Sequence, residues 1–252
     1  MKNGGHIRVG ITGAEGFIGS NLRLRLRREP ERFTPVVLSR TDFEDPADLA
    51  ESVNRCDAVI HFAGESRNPD GEVLLRTNLR LTEALLTACR DSGCRPHIFL
   101  ASTVHEAREL PYHESKRRAR AMIEEWAREN GADCTTLRMP NTFGPQGRPG
   151  FNSVVSTFCF LAAQGREPER IDADAELKLI PVASLCGKIA EVLRDPEPGV
   201  GCLDIRHEYT IRLGALWELL SGWRKTLERG EFPVLSRRLE AELWSAFASY
   251  LS

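Results

Sequence analysis

The sequence has almost no net charge. Its 34 Lys and Arg residues stand against 36 Asp and Glu, leaving −2, which excludes a chain drawn to nucleic acid or to an anionic membrane by its overall field. Arginine is dense only locally, at 23, 25, 27 and 28 and at 117, 118 and 120. These runs lie on expected helices with acids nearby and read as solvated faces. Long apolar runs are missing too: the longest nearly apolar stretch, Val154 to Ala163, is too short to cross a bilayer. The seven cysteines show no CxxC pair and no metal-ligand spacing, so no metal is expected, and cysteines within apolar stretches fit a reducing compartment. No apolar segment follows Lys2, so no secretory signal is read, and no internal repeat stands out. These absences lead to the expectation of a cytoplasmic globular protein with neither a membrane nor a nucleic-acid partner.

What is present is alternation. His6 to Thr12, Pro35 to Ser39, Cys56 to Ala63, His97 to Ser102 and Thr135 to Met139 read as strands, many of them apolar on both faces. Amphipathic helices are expected after the first glycine loop, from Glu72 to Asp91 and from His113 to Asn130, with Gly93 and Gly131 as stops. Strands alternating with long helices predict an α/β, Rossmann-like, doubly wound parallel sheet. A dinucleotide-binding domain is expected over residues 1–145 and a small substrate-binding lobe over 146–252. That lobe is not fully separate, because such folds often return a strand to the sheet.

The first strand runs into Thr12-Gly13-Ala14-Glu15-Gly16-Phe17-Ile18-Gly19, a G-x-x-G-x-x-G loop opening a helix. Glycines there let the backbone approach a pyrophosphate, and free N–H groups of the helix start bind the anion. Arg40 follows the second strand, where an acid would bind the ribose 2′-hydroxyl and an arginine instead accommodates a 2′-phosphate. Ser39 adds a hydroxyl, and Asp42 lies one step too late to be that acid. The expected cofactor is NADP(H).

Tyr112 and Lys116 form a Tyr-x-x-x-Lys pair one helical turn apart. A nearby cation is expected to draw the phenol down from about 10 toward the working range of an acid–base catalyst. Thr103, or Ser102, at a strand end supplies a hydroxyl to hold the substrate oxygen. His61, on a buried strand, reads as a packed imidazole. His105 and His113 lie near the expected site without an assigned role, and Trp217, Trp223 and Trp244 read as core or interface.

In order along the chain, T-G-A-E-G-F-I-G at 12–19, D-A-V-I-H-F-A-G at 57–64, Asn78 within R-T-N-L-R-L-T-E-A-L-L, L-A-S-T at 100–103, Tyr112 with Lys116, and R-M-P-N-T-F-G-P at 138–145 resemble the extended short-chain dehydrogenases/reductases, the family of NAD-dependent nucleotide-sugar epimerases, dehydratases and reductases. Pro149 to Phe160 and Leu239 to Leu251 resemble the reductase half of the bifunctional bacterial capsular-polysaccharide UDP-4-keto-sugar reductase/epimerases, without their cupin domain. The resemblance implies catalysis by Thr103, Tyr112 and Lys116, with Lys116 also bonding the nicotinamide ribose. It implies a cofactor lined by Gly13, Gly16, Phe17, Ile18, Gly19, Arg40, Ala63, Gly64, Asn78 and Pro140, and a nucleotide-sugar substrate near Phe143, Asn152 and Ser153. It further implies reduction of a 4-keto-6-deoxy sugar and a homodimer through the two long helices. An epimerase, or a non-catalytic NADP-binding regulator on the same fold, is the alternative. Two departures follow. Residues 40–57 are too few for the usual helix and third strand, so the strand at 35–39 is expected to form the sheet edge. Val104-His105 replaces the Asp-Glu pair of the dehydratases, and V-A-S-L at 182–185 replaces the usual V-D-D.

Overall fold

A computed structural model of the chain describes residues 5–151 and 153–251. It groups into two compact units, residues 1–139 with 186–205 and residues 140–185 with 206–252. Residues 140–145 and 186–205 thus group differently from a single division at 145.

The first unit opens with β1 (Ile7–Thr12), α1 (Phe17–Leu26), β2 (Phe33–Leu38), α2 (Pro46–Asn54) and β3 (Ala58–His61). It continues through α3 (Gly71–Ser92), β4 (His97–Thr103), α4 (Pro111–Asn130) and β5 (Cys134–Met139). In the second unit lie β6 (Asn141–Phe143), α5 (Val154–Ala163) and β7 (Glu176–Pro181). After α6 (Val182–Arg194), β8 (Val200–Asp204) returns to the first sheet, and β9 (Tyr209–Arg212), α7 (Leu213–Glu228) and α8 (Arg238–Ala248) complete the second unit.

The first sheet has the order β2-β1-β3-β4-β5-β8, and every pairing in it is parallel. Its central strands β3 and β4 are buried on both faces, as a parallel sheet covered by helices requires, whereas the edge strand β8 is largely exposed. Val59, Ile98 and Leu100 meet α2, α3 and α4 in a core with Leu49, Leu85, Ile123 and Trp126. The alternate residues Ile60 and Phe99 are equally buried. Arg194 of α6 donates to both carboxylate oxygens of Glu29, just beyond α1, at 2.6 and 2.7 Å. The second unit has a sheet of order β6-β7-β9, with β6 parallel and β9 antiparallel to β7. Phe143, Phe158, Leu179, Leu216, Leu220, Trp223 and Phe247 fill its core.

As expected, β2 is the edge and no strand intervenes before β3. The stretch before β3 does, however, hold a helix. In α2, Asp45 caps the N-terminus by accepting from the Ala47 N–H at 2.8 Å, Pro46 opens the first turn, and Leu49 and Val53 are buried at i,i+4 spacing. β2 begins two residues earlier than expected and contains Pro35, which an edge strand tolerates because one of its hydrogen-bonding sides has no neighbour. Among the described residues no helix is long and apolar enough to cross a membrane.

Three histidines of the first unit are buried, His61, His97 and His113, and two of them sit among threonine hydroxyls. His61 Nδ1 lies 2.9 Å from the Thr12 hydroxyl and Nε2 lies 3.2 Å from that of Thr82. His97 Nε2 lies 2.8 Å from the Thr135 hydroxyl, and its ring stacks on Phe99. Burial pushes His61 down to about 3 and His97 down to about 4, with the charge of Lys116 a lesser cause at His61. Both are neutral in the fold and gain protons on unfolding below about 6.5. Stability is therefore full above that pH and falls as the solution is acidified through it, with a slope approaching about 1.4 kcal/mol per pH unit for each histidine. Urea unfolding between pH 7 and pH 5 should show this loss, to which His113, also lowered by burial, adds, and His97→Gln should make the slope shallower. An unchanged slope in that variant would disprove the assignment.

Candidate active site

The glycine loop forms the β1–α1 turn. Gly13 adopts φ +65°, and a Cβ there would lie 3.0 Å from the Ala63 nitrogen, so the loop rests on the chain leaving β3. At Gly19 a Cβ would lie 2.2 Å from the Gly13 carbonyl oxygen, so only glycine lets the loop close on the helix. Gly16 is the N-cap of α1; it offers no side chain, and the first turn holds no acid. Among the described residues the N–H groups of Phe17, Ile18 and Gly19 have no hydrogen-bond partner. An uncapped helix start with its partial positive charge is the arrangement an anionic pyrophosphate requires. The residues therefore fit a dinucleotide.

At the end of β2, Asp42 accepts from the Ser39 N–H at 2.5 Å, the Ser39 hydroxyl at 2.6 Å and the Ser52 hydroxyl at 3.2 Å. Its carboxylate is thus held within the turn by three donors, and the Ser39 hydroxyl is engaged there as well. Arg40 is exposed, and among the described residues its guanidinium has no ion-pair or hydrogen-bond partner. A cation without a protein counter-ion beside an internally satisfied acid suits a phosphate better than a bare ribose diol.

The loop after β3 is shaped from beneath. Asn78 accepts from the Glu65 N–H at 2.7 Å and donates to the Glu65 carbonyl and the Ser115 hydroxyl, each at 3.0 Å. Both amide hydrogens are engaged, so Asn78 holds the Gly64–Glu65 turn and has no donor left for a ligand. The Ala63 N–H donates to the Thr12 hydroxyl at 2.9 Å.

Thr103 ends β4, against which α4 packs. The geometry separates the two candidate hydroxyls. Ser102 is buried and donates to Glu106 at 2.5 Å. Thr103 is half-buried, and its oxygen accepts from the His105 N–H at 3.2 Å, leaving its own hydrogen to donate. In the first turns of α4, the Lys116 ammonium lies 5.7 Å from the centre of the Tyr112 ring. Burial pushes Lys116 down to about 8, against the opposing charge of Glu106. Burial also pushes Tyr112 up to about 12. The expected lowering of the phenol toward the working range is not found; in this arrangement burial instead raises it. At neutral pH both groups carry their protons, so the pair is a proton donor.

The remaining expected residues belong to the second unit. Pro140 is buried, and its carbonyl accepts from the Thr142 hydroxyl at 3.1 Å. Phe143 is fully buried in that unit's core, because β6 is paired along β7, so its ring packs and does not face a ligand. Ser153 caps α5, accepting from the Val155 N–H at 3.1 Å. Asn152 lies outside the described residues. Sequence reasoning passed over Glu106, a buried carboxylate in the turn after β4, and Ser115, which links Asn78 to the Tyr112 carbonyl at 2.7 Å. Neither stands in a recognisable pattern.

Residues 9–173 match the model of the NAD dependent epimerase/dehydratase family. A UDP-2-acetamido-2,6-beta-L-arabino-hexul-4-ose reductase of Pseudomonas aeruginosa is 27% identical over 97% of this chain and 65% of its own length. Among solved structures, the capsular polysaccharide assembling protein CapF of Staphylococcus aureus superposes with a TM-score of 0.78 at 26% identity, over 98% of this chain and 65% of that one. RMD of Pseudomonas aeruginosa, solved with NADPH, gives a TM-score of 0.79 at 22% identity over 97% of this chain and all of that one, a likeness of fold. The chain thus spans about two thirds of the length of the reductase and of CapF. With its glycine loop, parallel sheet and Tyr-Lys helix, the chain belongs to the NAD dependent epimerase/dehydratase family.

Proposed function

We propose that this chain catalyses the NADPH-dependent reduction of the C4 keto group of a nucleotide-activated 4-keto-6-deoxy sugar. The observation that carries this reading is the placement, one turn apart on α4, of the Tyr112 phenol and the Lys116 ammonium, 5.7 Å from the ring centre. A carbonyl being reduced needs a proton at its oxygen, and Tyr112 is built to give one. The similarity over nearly the whole chain to a UDP-keto-sugar reductase supports the substrate class.

The uncapped start of α1 would hold the pyrophosphate, Arg40 the 2′-phosphate and Lys116 the nicotinamide ribose. When bound, the reduced nicotinamide supplies the hydride. Thr103 donates a hydrogen bond to the carbonyl oxygen and holds it as negative charge develops there. Tyr112 transfers its phenolic proton to the same oxygen, giving the alcohol, and the Lys116 ammonium stabilises the phenolate left behind. Pro140 and Ser153, with Asn152, are the second unit's candidates for contact with cofactor and sugar. The groove lined by Phe43 in the turn before α2, Leu49 on α2, Leu79 and Ala84 on α3 and Met122 on α4, rimmed by Arg80, Glu83 and Arg118, supports a homodimer through α3 and α4.

NADPH should bind more tightly than NADH by at least about tenfold, or about 1.4 kcal/mol, and Arg40→Ala should abolish the preference. Calorimetry giving equal affinities in the wild type would overturn the cofactor assignment. Tyr112→Phe should lower turnover on a UDP-linked 4-keto sugar by about two to four orders of magnitude while NADPH still binds. Thr103→Val should be impaired and Thr103→Ser tolerated, since the serine keeps the hydroxyl. Because Lys116 loses its proton as pH rises through about 8, turnover should fall on the alkaline side of that value. Wild-type rates in Tyr112→Phe would place the acid elsewhere.

A further inference from the structure

The turn between β4 and α4 contains a buried acid that the proposed chemistry does not use. Glu106 is 8% exposed. One of its carboxylate oxygens accepts from the Ser102 hydroxyl at 2.5 Å, and the other lies 3.4 Å from an Arg120 nitrogen. Its backbone carbonyl accepts from Arg117, which also bonds the Arg108 carbonyl at 2.9 Å and pairs with Glu114. Ser102 adjoins Thr103, and Arg117 and Arg120 stand on the helix of Tyr112 and Lys116. A carboxylate is seldom buried without such partners, and here they come from both elements that carry the reacting groups.

We propose that Glu106 is a positioning residue of the active site, clamping the strand end that presents Thr103 to the helix that presents Tyr112 and Lys116. The assignment rests on the reductase reading for the roles of those three residues. Its electrostatic part does not. Among the described residues, the titratable groups that act on the Lys116 ammonium are Tyr112 on its own helix, His61 on β3 and Glu106 in the turn, the last held against α4 by Arg117 and Arg120. His61 is neutral and Tyr112 keeps its proton, so Glu106 alone supplies a negative charge. Burial drives Lys116 toward the neutral amine and Glu106 opposes it. Ser102, Arg117 and Arg120 fix the carboxylate that does so.

Glu106→Gln keeps the shape and removes the charge, whereas Glu106→Asp keeps the charge and shortens its reach. In the full chain with uniformly 13C-labelled lysine, one of five lysine signals should titrate near pH 8 and be missing from Lys116→Met. That midpoint should drop by about one pH unit in Glu106→Gln and stay near its wild-type value in Glu106→Asp. Turnover of Glu106→Gln should follow, falling about fivefold at pH 8 yet staying within about twofold of wild type at pH 6. Glu106→Asp should lower kcat at all pH values without moving the profile or the affinity for NADPH. A Lys116 midpoint unmoved in a folded Glu106→Gln overturns the proposal, as does an unaltered kcat in Glu106→Asp. An active Tyr112→Phe would instead sink the reductase reading, and the lysine titration would still decide whether Glu106 governs Lys116.

Discussion

Between the glycine loop after β1 and the start of α4 runs a chain of hydrogen bonds whose members fix one another's orientation. Thr82 donates to the Asn78 carbonyl, so its oxygen accepts from His61 Nε2–H. The bare Nδ1 of the neutral ring accepts from the Thr12 hydroxyl, whose oxygen in turn accepts from the Ala63 N–H. The Asn78 amide donates to Ser115, and Ser115 to the Tyr112 carbonyl. In a low-dielectric interior an orphaned member would cost on the order of 1–3 kcal/mol, so the links hold one another in place. The strand that starts the dinucleotide loop and the first turn of α4 are thereby set in register.

The same chain accounts for the charge state of the site. Both His61 nitrogens are occupied, and the ring is buried and neutral. A second cation there would repel the Lys116 ammonium. Among the described residues Lys116 is the one buried lysine or arginine, and Glu106 is the acid that opposes its burial. Asn78 and His61 hold the loop after β3 and the start of α4 in place.

The parts legible in the sequence were those governed by local rules. Apolar runs marked the strands, Gly93 and Gly131 ended helices in the left-handed conformation, and the glycine spacing marked the β1–α1 turn. The short interval after Arg40 correctly implied a missing strand. The nine-residue α2 was overlooked although Asp45-Pro46 is an N-cap signature, because so short an apolar repeat carries little periodicity. The errors at the site have another origin. The direction of the Tyr112 shift depends on how deeply the ring is buried, and the fates of Ser102, Asn78 and Phe143 depend on partners 4, 37 and 38 positions away. Spacing alone reports none of these.

The loss of the third strand has a consequence for the molecule's behaviour among its copies. It leaves β2 with an open side, and a row of unpaired amides invites another chain to add a strand. Pro35 stands in the middle of that row, paired with Val9 on the inner side, and interrupts it with a position that cannot donate. The proline that looks like a defect in the strand is its guard against fibrous association: a shortened sheet stays closed to its neighbours because its new margin is a poor template.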